Sequence, residues 1–93
     1  MPFGQFINVI PPAVFLLIHI AAGGIGAYFA YRSFGAGANV LGWAFALYAL
    51  AEASYITYHL NWTVILFAHT LSEVLDLLAF ILVFSVAARS LLT

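Results

Sequence analysis

Residues 69–77 read HTLSEVLDL, between WTVILFA at 62–68 and LAFILVFSVAA at 78–88. Both flanks are lipid-like, yet the centre carries His69, Glu73 and Asp76 within eight residues. A membrane helix needs about 20 mostly apolar residues to cross the hydrocarbon core, and this run supplies them. The segment is therefore read as a span, 63–88, with ionisable groups inside it. What those groups do is the functional question.

The rest of the chain agrees. Of 93 residues, 67% are hydrophobic and 5% charged, where a soluble domain carries roughly 25% charged residues. So few charges cannot cover a soluble globule. Residues 9–31 form a first span opening on Pro11 and Pro12, whose missing N–H donors cost little in a first turn. A glycine-rich connection, 32–39, ends on Asn39, read as the N-cap of a second span, 40–59. Residues 60–63 form a tight turn into the third. Trp43, Trp62, Tyr28 and Tyr31 fall near span ends, where amphipathic rings settle. The alternation of a membrane β-barrel is absent. The fold expected is an all-α integral membrane protein with three transmembrane helices, one domain over 1–93.

AGA at Ala36–Ala38 resembles a signal-peptide cleavage site, but no Lys or Arg precedes Arg32 and the apolar run exceeds an h-region. The first span is read as retained. Arg32 and Arg89 are the only basic side chains, and three spans put both on one side. The positive-inside rule makes that side cytoplasmic, with the N-terminus and the 60–63 turn outside. The expected location is a prokaryotic cytoplasmic membrane. Two arginines do not hold a nucleic acid, and without cysteine there is no thiolate chemistry or disulfide.

Counting about 1.5 Å per residue from the outer ends puts His19, Glu52, His69 and Glu73 about 10–16 Å deep. Asp76 lies about one turn deeper, and His59 near the surface, as an interfacial residue. His69, Glu73 and Asp76 stand at i, i+4 and i+7, on one face. Tyr48, Glu52, Tyr55 and His59 make a second stripe, the tyrosines read as packing residues whose hydroxyls find a carbonyl. On the first helix, His19, Gly23, Gly26 and Ala30 share a face, and Ala22, Gly26 and Ala30 form a small-residue ridge for close packing. The stripes are expected to face one another or a partner. Gly23-Gly24-x-Gly26 follows no strand and is no nucleotide loop. Ser72 and Ser85 lack a nucleophile's neighbours, since Ser72 faces away from Glu73.

An ionised carboxylate in hydrocarbon costs at least ~2.5–3.5 kcal/mol on insertion scales. No Lys or Arg lies close in sequence to Glu52, Glu73 or Asp76. Each must be protonated, paired with a charged histidine, bound to a cation, or open to water. The first reading is a site for a transition metal (Fe, Cu, Zn or Mn) built from His69, Glu73, Glu52, His19 and Asp76. Di-metal bundles use Glu-x-x-His pairs, absent here. A haem or chlorin on His19 and His69 is the less favoured cofactor. The second reading is a structural or assembly subunit whose polar groups pair between helices. The third is an oligomeric proton or cation conductor, with a relay of Glu52, Glu73, Asp76, His69 and His59. With no soluble domain, the chain reads as an accessory subunit of a redox or energy-coupling membrane complex, or a homo-oligomer, rather than a stand-alone enzyme. Its other partner is the lipid bilayer.

Overall fold

A computed structural model describes residues 9–92. They form three helices, α1 (Pro12–Gly35), α2 (Asn39–His59) and α3 (Ile65–Leu92). All three are long and apolar enough to cross a membrane, so the all-helical expectation holds. Helices suit that solvent because each satisfies its backbone groups internally, where lipid offers no partners.

The boundaries moved at the connections, for a reason visible in the hydrogen bonds. α1 continues through Arg32 to Gly35 and ends with Gly37 at φ +81°. The Ala38 amide donates to the Ser33 carbonyl at 2.9 Å and the Gly37 amide to Phe34 at 3.1 Å. This 6→1 and 5→2 pair is a Schellman closure, which wants glycine in the left-handed region. α2 ends the same way. Asn61, at φ 65°, takes the left-handed place, and the amides of Trp62 and Asn61 each donate at 2.9 Å, to Thr57 and Tyr58. Asparagine is the usual substitute for glycine there. The turn thus reaches Val64, and α3 starts at Ile65. Asn39 is not an N-cap. Ala38 holds that place without a side-chain bond, and Asn39 is the first helical residue. Pro11 and Pro12 do open α1, at its N-cap and first position.

α2 is the central helix. It packs on α1 along one side and on α3 along another, while no Cα of α1 lies within 8 Å of one in α3 among the described residues. The close-packed material is small. Gly26 and Ala30 of α1, Gly42, Ala44, Ala51 and Ser54 of α2, and Ala68, Ser72 and Ala79 of α3 are buried. The largest fully buried side chain is Ser72. Leu17, Ile25, Leu66, Leu77 and Phe84 point outward. A water-soluble bundle would invert this arrangement. In lipid, bulky chains lose nothing by facing out, and small residues let backbones approach.

The small-residue ridge of α1 meets α2 as its spacing predicts. A Cβ at Gly26 would stand 2.8 Å from Tyr48, and one at Gly23 would stand 3.4 Å from the Cβ of Glu52. At the other end of this pair, the Phe34 ring lies over Gly42, 2.7 Å from where a Cβ would be. The α3 side has its own fastener. Ser72 Oγ donates to the Ala51 carbonyl at 2.9 Å.

Candidate functional site

Because α1 and α3 flank α2 without closing on each other, a groove runs along one face of the trio. The α2 stripe Tyr48–Glu52–Tyr55–His59 lines it. Toward the Gly35 end of α1 the groove is an apolar crevice of about 190 Å³, bounded by Gly26 and Phe29 of α1, Tyr48 of α2, and Ala79 and Phe80 of α3. Toward the His59 end of α2 it carries the ionisable side chains.

Helix rise puts His19 about 10 Å from the Pro12 end of α1 and Glu52 about 10 Å from the His59 end of α2. There they meet. His19 Nδ1 lies 2.5 Å from Glu52 Oε2, with 21% and 13% of the side chains exposed. Gly23 lies one turn along α1 from His19, and a Cβ there would stand 3.4 Å from the Cβ of Glu52. Over the histidine ring lie two others. Tyr55 stacks on it at 4.8 Å between centroids and His59 at 5.2 Å. His59 also stacks on Phe15 at 6.2 Å.

Tyr55 ties the site to the third helix. Its hydroxyl lies 3.4 Å from Nδ1 of His69, so one side chain touches groups from both flanking helices. The hydroxyl's partner is a histidine rather than the backbone carbonyl expected from sequence. His59, the last residue of α2, is half-buried and stacks on His19. Its i+11 spacing from Tyr48 was the signal that placed it in the stripe.

The two acidic residues of α3 fare differently. Ser72 faces α2, and at 3.6 residues per turn Glu73 is rotated from it by about 100° and Asp76 by about 40°. Asp76 therefore lies at the edge of the α2–α3 contact, half-buried, with Oδ1 lacking any hydrogen-bond partner. Glu73 lies on the exposed flank.

Of the five residues proposed as ligands, the fold brings His19 and Glu52 into contact and leaves the others spread along α3. Among the described residues, no three His, Asp or Glu side chains form a group that could hold a metal ion. The cause is the order of the helices. Glu52 turns toward α1, while His69 and Glu73 sit on the far flank of α2. Sequence reasoning missed Ser72 as an interhelix donor, although its i+4 spacing from Ala68 carries the small-xxx-small signal.

At the opposite end of the spans, Arg32 Nη1 donates to the Tyr28 hydroxyl at 3.0 Å and its guanidinium lies 5.9 Å from that ring's centroid. Tyr31 and Trp43 are exposed close by in sequence, and Trp62 is exposed at the other end. These rings mark two interfacial levels.

No protein family model matches the chain, and no curated protein or solved structure shows significant similarity to it.

Proposed function

We propose that the chain is a small accessory subunit of a larger membrane assembly, and that it keeps a protonatable His–carboxylate cluster in the outer half of the bilayer. The observation that carries this reading is the His19–Glu52 contact. Two groups from separate helices meet at a depth where a lone carboxylate is costly. The pair is electrically neutral when it holds one proton on either partner, and charged when that proton leaves. The groove gives the pair aromatic neighbours in Tyr55 and His59. The three helices offer lipid-facing surface almost everywhere else, which suits a part that works inside something larger.

Orientation follows from the two arginines, with the cluster on the outer side and residues 36–38 in the cytoplasm. A pH-difference infrared spectrum tests the cluster. A carboxyl band that titrates and disappears in Glu52→Gln supports it, and identical spectra for the two proteins overturn it. Native mass spectrometry after mild extraction tests the accessory role, which a solitary chain would exclude.

A metal at His19 and Glu52 is the second reading, favoured by the donor types of that one pair. The remaining ligands would come from a partner. A haem or chlorin on His19 would have to displace the Tyr55 and His59 rings. Elemental analysis together with a visible spectrum separates these from proton holding.

A further inference from the structure

We propose that the open cavity at the α1–α2 connection binds the phosphodiester headgroup of an anionic membrane lipid, with Arg32 as the cation that holds it. The site is separate from the His–carboxylate cluster, which lies toward the other end of the helices.

The cavity has a volume of about 850 Å³ and is walled by Tyr31, Arg32, Ser33 and Phe34 of α1 and by Ala36 and Ala38 beyond it. Such a volume suits a small ligand or a headgroup. Arg32 is its one charged wall residue. Tyr28, one turn back on α1, accepts the 3.0 Å hydrogen bond from Nη1 and offers its ring to the guanidinium. That bond uses one of the guanidinium's N–H donors, and the others can fork onto phosphate oxygens. Ser33 adds a hydroxyl. Free carbonyls at the end of α1 would oppose an anion, but those of Arg32, Ser33 and Phe34 accept the amides of Ala36, Ala38 and Gly37.

Charge and depth then select the ligand. Glu52 stands about 20 Å along α2 from Asn39, and Asp76 about 20 Å along α3 from Arg89, with Glu73 farther still. No Asp or Glu side chain therefore competes for the arginine at this end. One guanidinium matches the single negative charge of a phosphodiester. The rest of the wall decides for a lipid over a free ion. Tyr31 and Phe34 are exposed, and their rings serve only a ligand that carries hydrocarbon. Phe34 is seated over Gly42, with Trp43 edge-on to it at 5.6 Å between centroids. Exposed Tyr31 and Trp43 also mark the interfacial level, where lipid headgroups lie.

The test uses the full chain with Trp62→Phe, so that Trp43, beside the cavity wall, is the sole tryptophan. It is placed in phosphatidylcholine vesicles, and phosphatidylglycerol or phosphatidylcholine with brominated acyl chains is added in steps. Bromine quenches tryptophan at contact, so Trp43 fluorescence reports the lipid beside Arg32. Brominated phosphatidylglycerol is expected to reach half-quenching at about one-fifth of the mole fraction that brominated phosphatidylcholine needs, the usual worth of one arginine at an anionic surface. Arg32→Gln should make the two lipids equal, Arg32→Lys should keep most of the preference, and Arg89→Gln should leave it in place. Equal quenching by the two lipids overturns the proposal. So does a preference that persists in Arg32→Gln with its helix content preserved, or one that Arg89→Gln removes as fully as Arg32→Gln. If millimolar inorganic phosphate abolishes the preference while chloride at equal ionic strength does not, a free anion is the occupant and the lipid site falls.

Discussion

The Cδ2 atom of Tyr48 stands 2.8 Å from where a Cβ on Gly26 would lie. The Tyr48 ring of α2 therefore packs directly on the Gly26 backbone of α1, in space that a side chain at residue 26 would need. Gly26→Leu should push the helices apart and destabilise the bundle by about 1–3 kcal/mol, the usual cost of overpacking. Because His19 and Glu52 hang on the same helix pair, their contact should loosen too. Unfolding by dodecyl sulfate titration in mixed micelles reads the first effect, and the infrared carboxyl band reads the second.

His19→Leu removes the imidazole that faces Glu52 and leaves the carboxylate without that partner. The expected loss is on the order of 2–3 kcal/mol, close to the cost of placing an unpaired charge in a bilayer. Replacing both residues, His19→Leu with Glu52→Leu, should restore most of it, since apolar pairs substitute well for buried ionic ones. A double variant no more stable than His19→Leu would mean that the two side chains do not interact.

Ser72 Oγ spans from α3 to the Ala51 carbonyl. Hydrogen bonds between membrane helices average about 0.6 kcal/mol, with a maximum of about 1.7, so Ser72→Ala should cost little. Ser72→Leu should cost far more, because the site is fully buried between two backbones. The ratio of the two losses, measured in one micelle system, tells packing from hydrogen bonding.

Asn61 holds the left-handed position that closes α2. Asn61→Gly should be nearly neutral, while Asn61→Val should cost about 1–2 kcal/mol, the penalty of a left-handed conformation for an ordinary side chain. A valine variant as stable as the glycine one would show that the turn does not constrain the α2–α3 pair.

The chain lacks cysteine, so single introduced thiols report topology cleanly. Trp62→Cys should react with a membrane-impermeant maleimide added to intact cells, and Ala36→Cys should react only after permeabilisation. The opposite pattern would place the His–carboxylate cluster in the cytoplasmic half.

Much of this was legible in the residues. Hydropathy located three spans to within a few residues, because crossing hydrocarbon sets a minimum apolar length. The α1 ridge was visible as Ala22, Gly26 and Ala30, since close helix approach demands small side chains at that spacing. The ends were less clear. Gly37 and Asn61 close their helices with bonds to carbonyls three residues back, and Ala38 and Trp62 after them with bonds five residues back; Asn39 as an N-cap is a misreading of the same polar stretch. Ser72 was read only as an unlikely nucleophile, although its place between Ala68 and Ala79 on one helical face marked a contact.

By itself the sequence determined how many helices are long and apolar enough to cross a membrane and how far along each one every ionisable group sits. Both follow from a fixed rise per residue and from the cost of polar groups in lipid. It also determined that Glu52, Glu73 and Asp76 need partners, since both arginines sit at the other end. Only the tertiary structure decided who the partners are. Glu52 could have turned toward His69 as readily as toward His19, because both lie within its reach in depth. The choice depends on which side of α2 each neighbour occupies, and that is set by where small residues let backbones approach. With Gly23 and Gly26 of α1 against Glu52 and Tyr48 of α2, and Ser72 of α3 against Ala51 of α2, Glu52 meets His19 while Glu73 is left on the open flank.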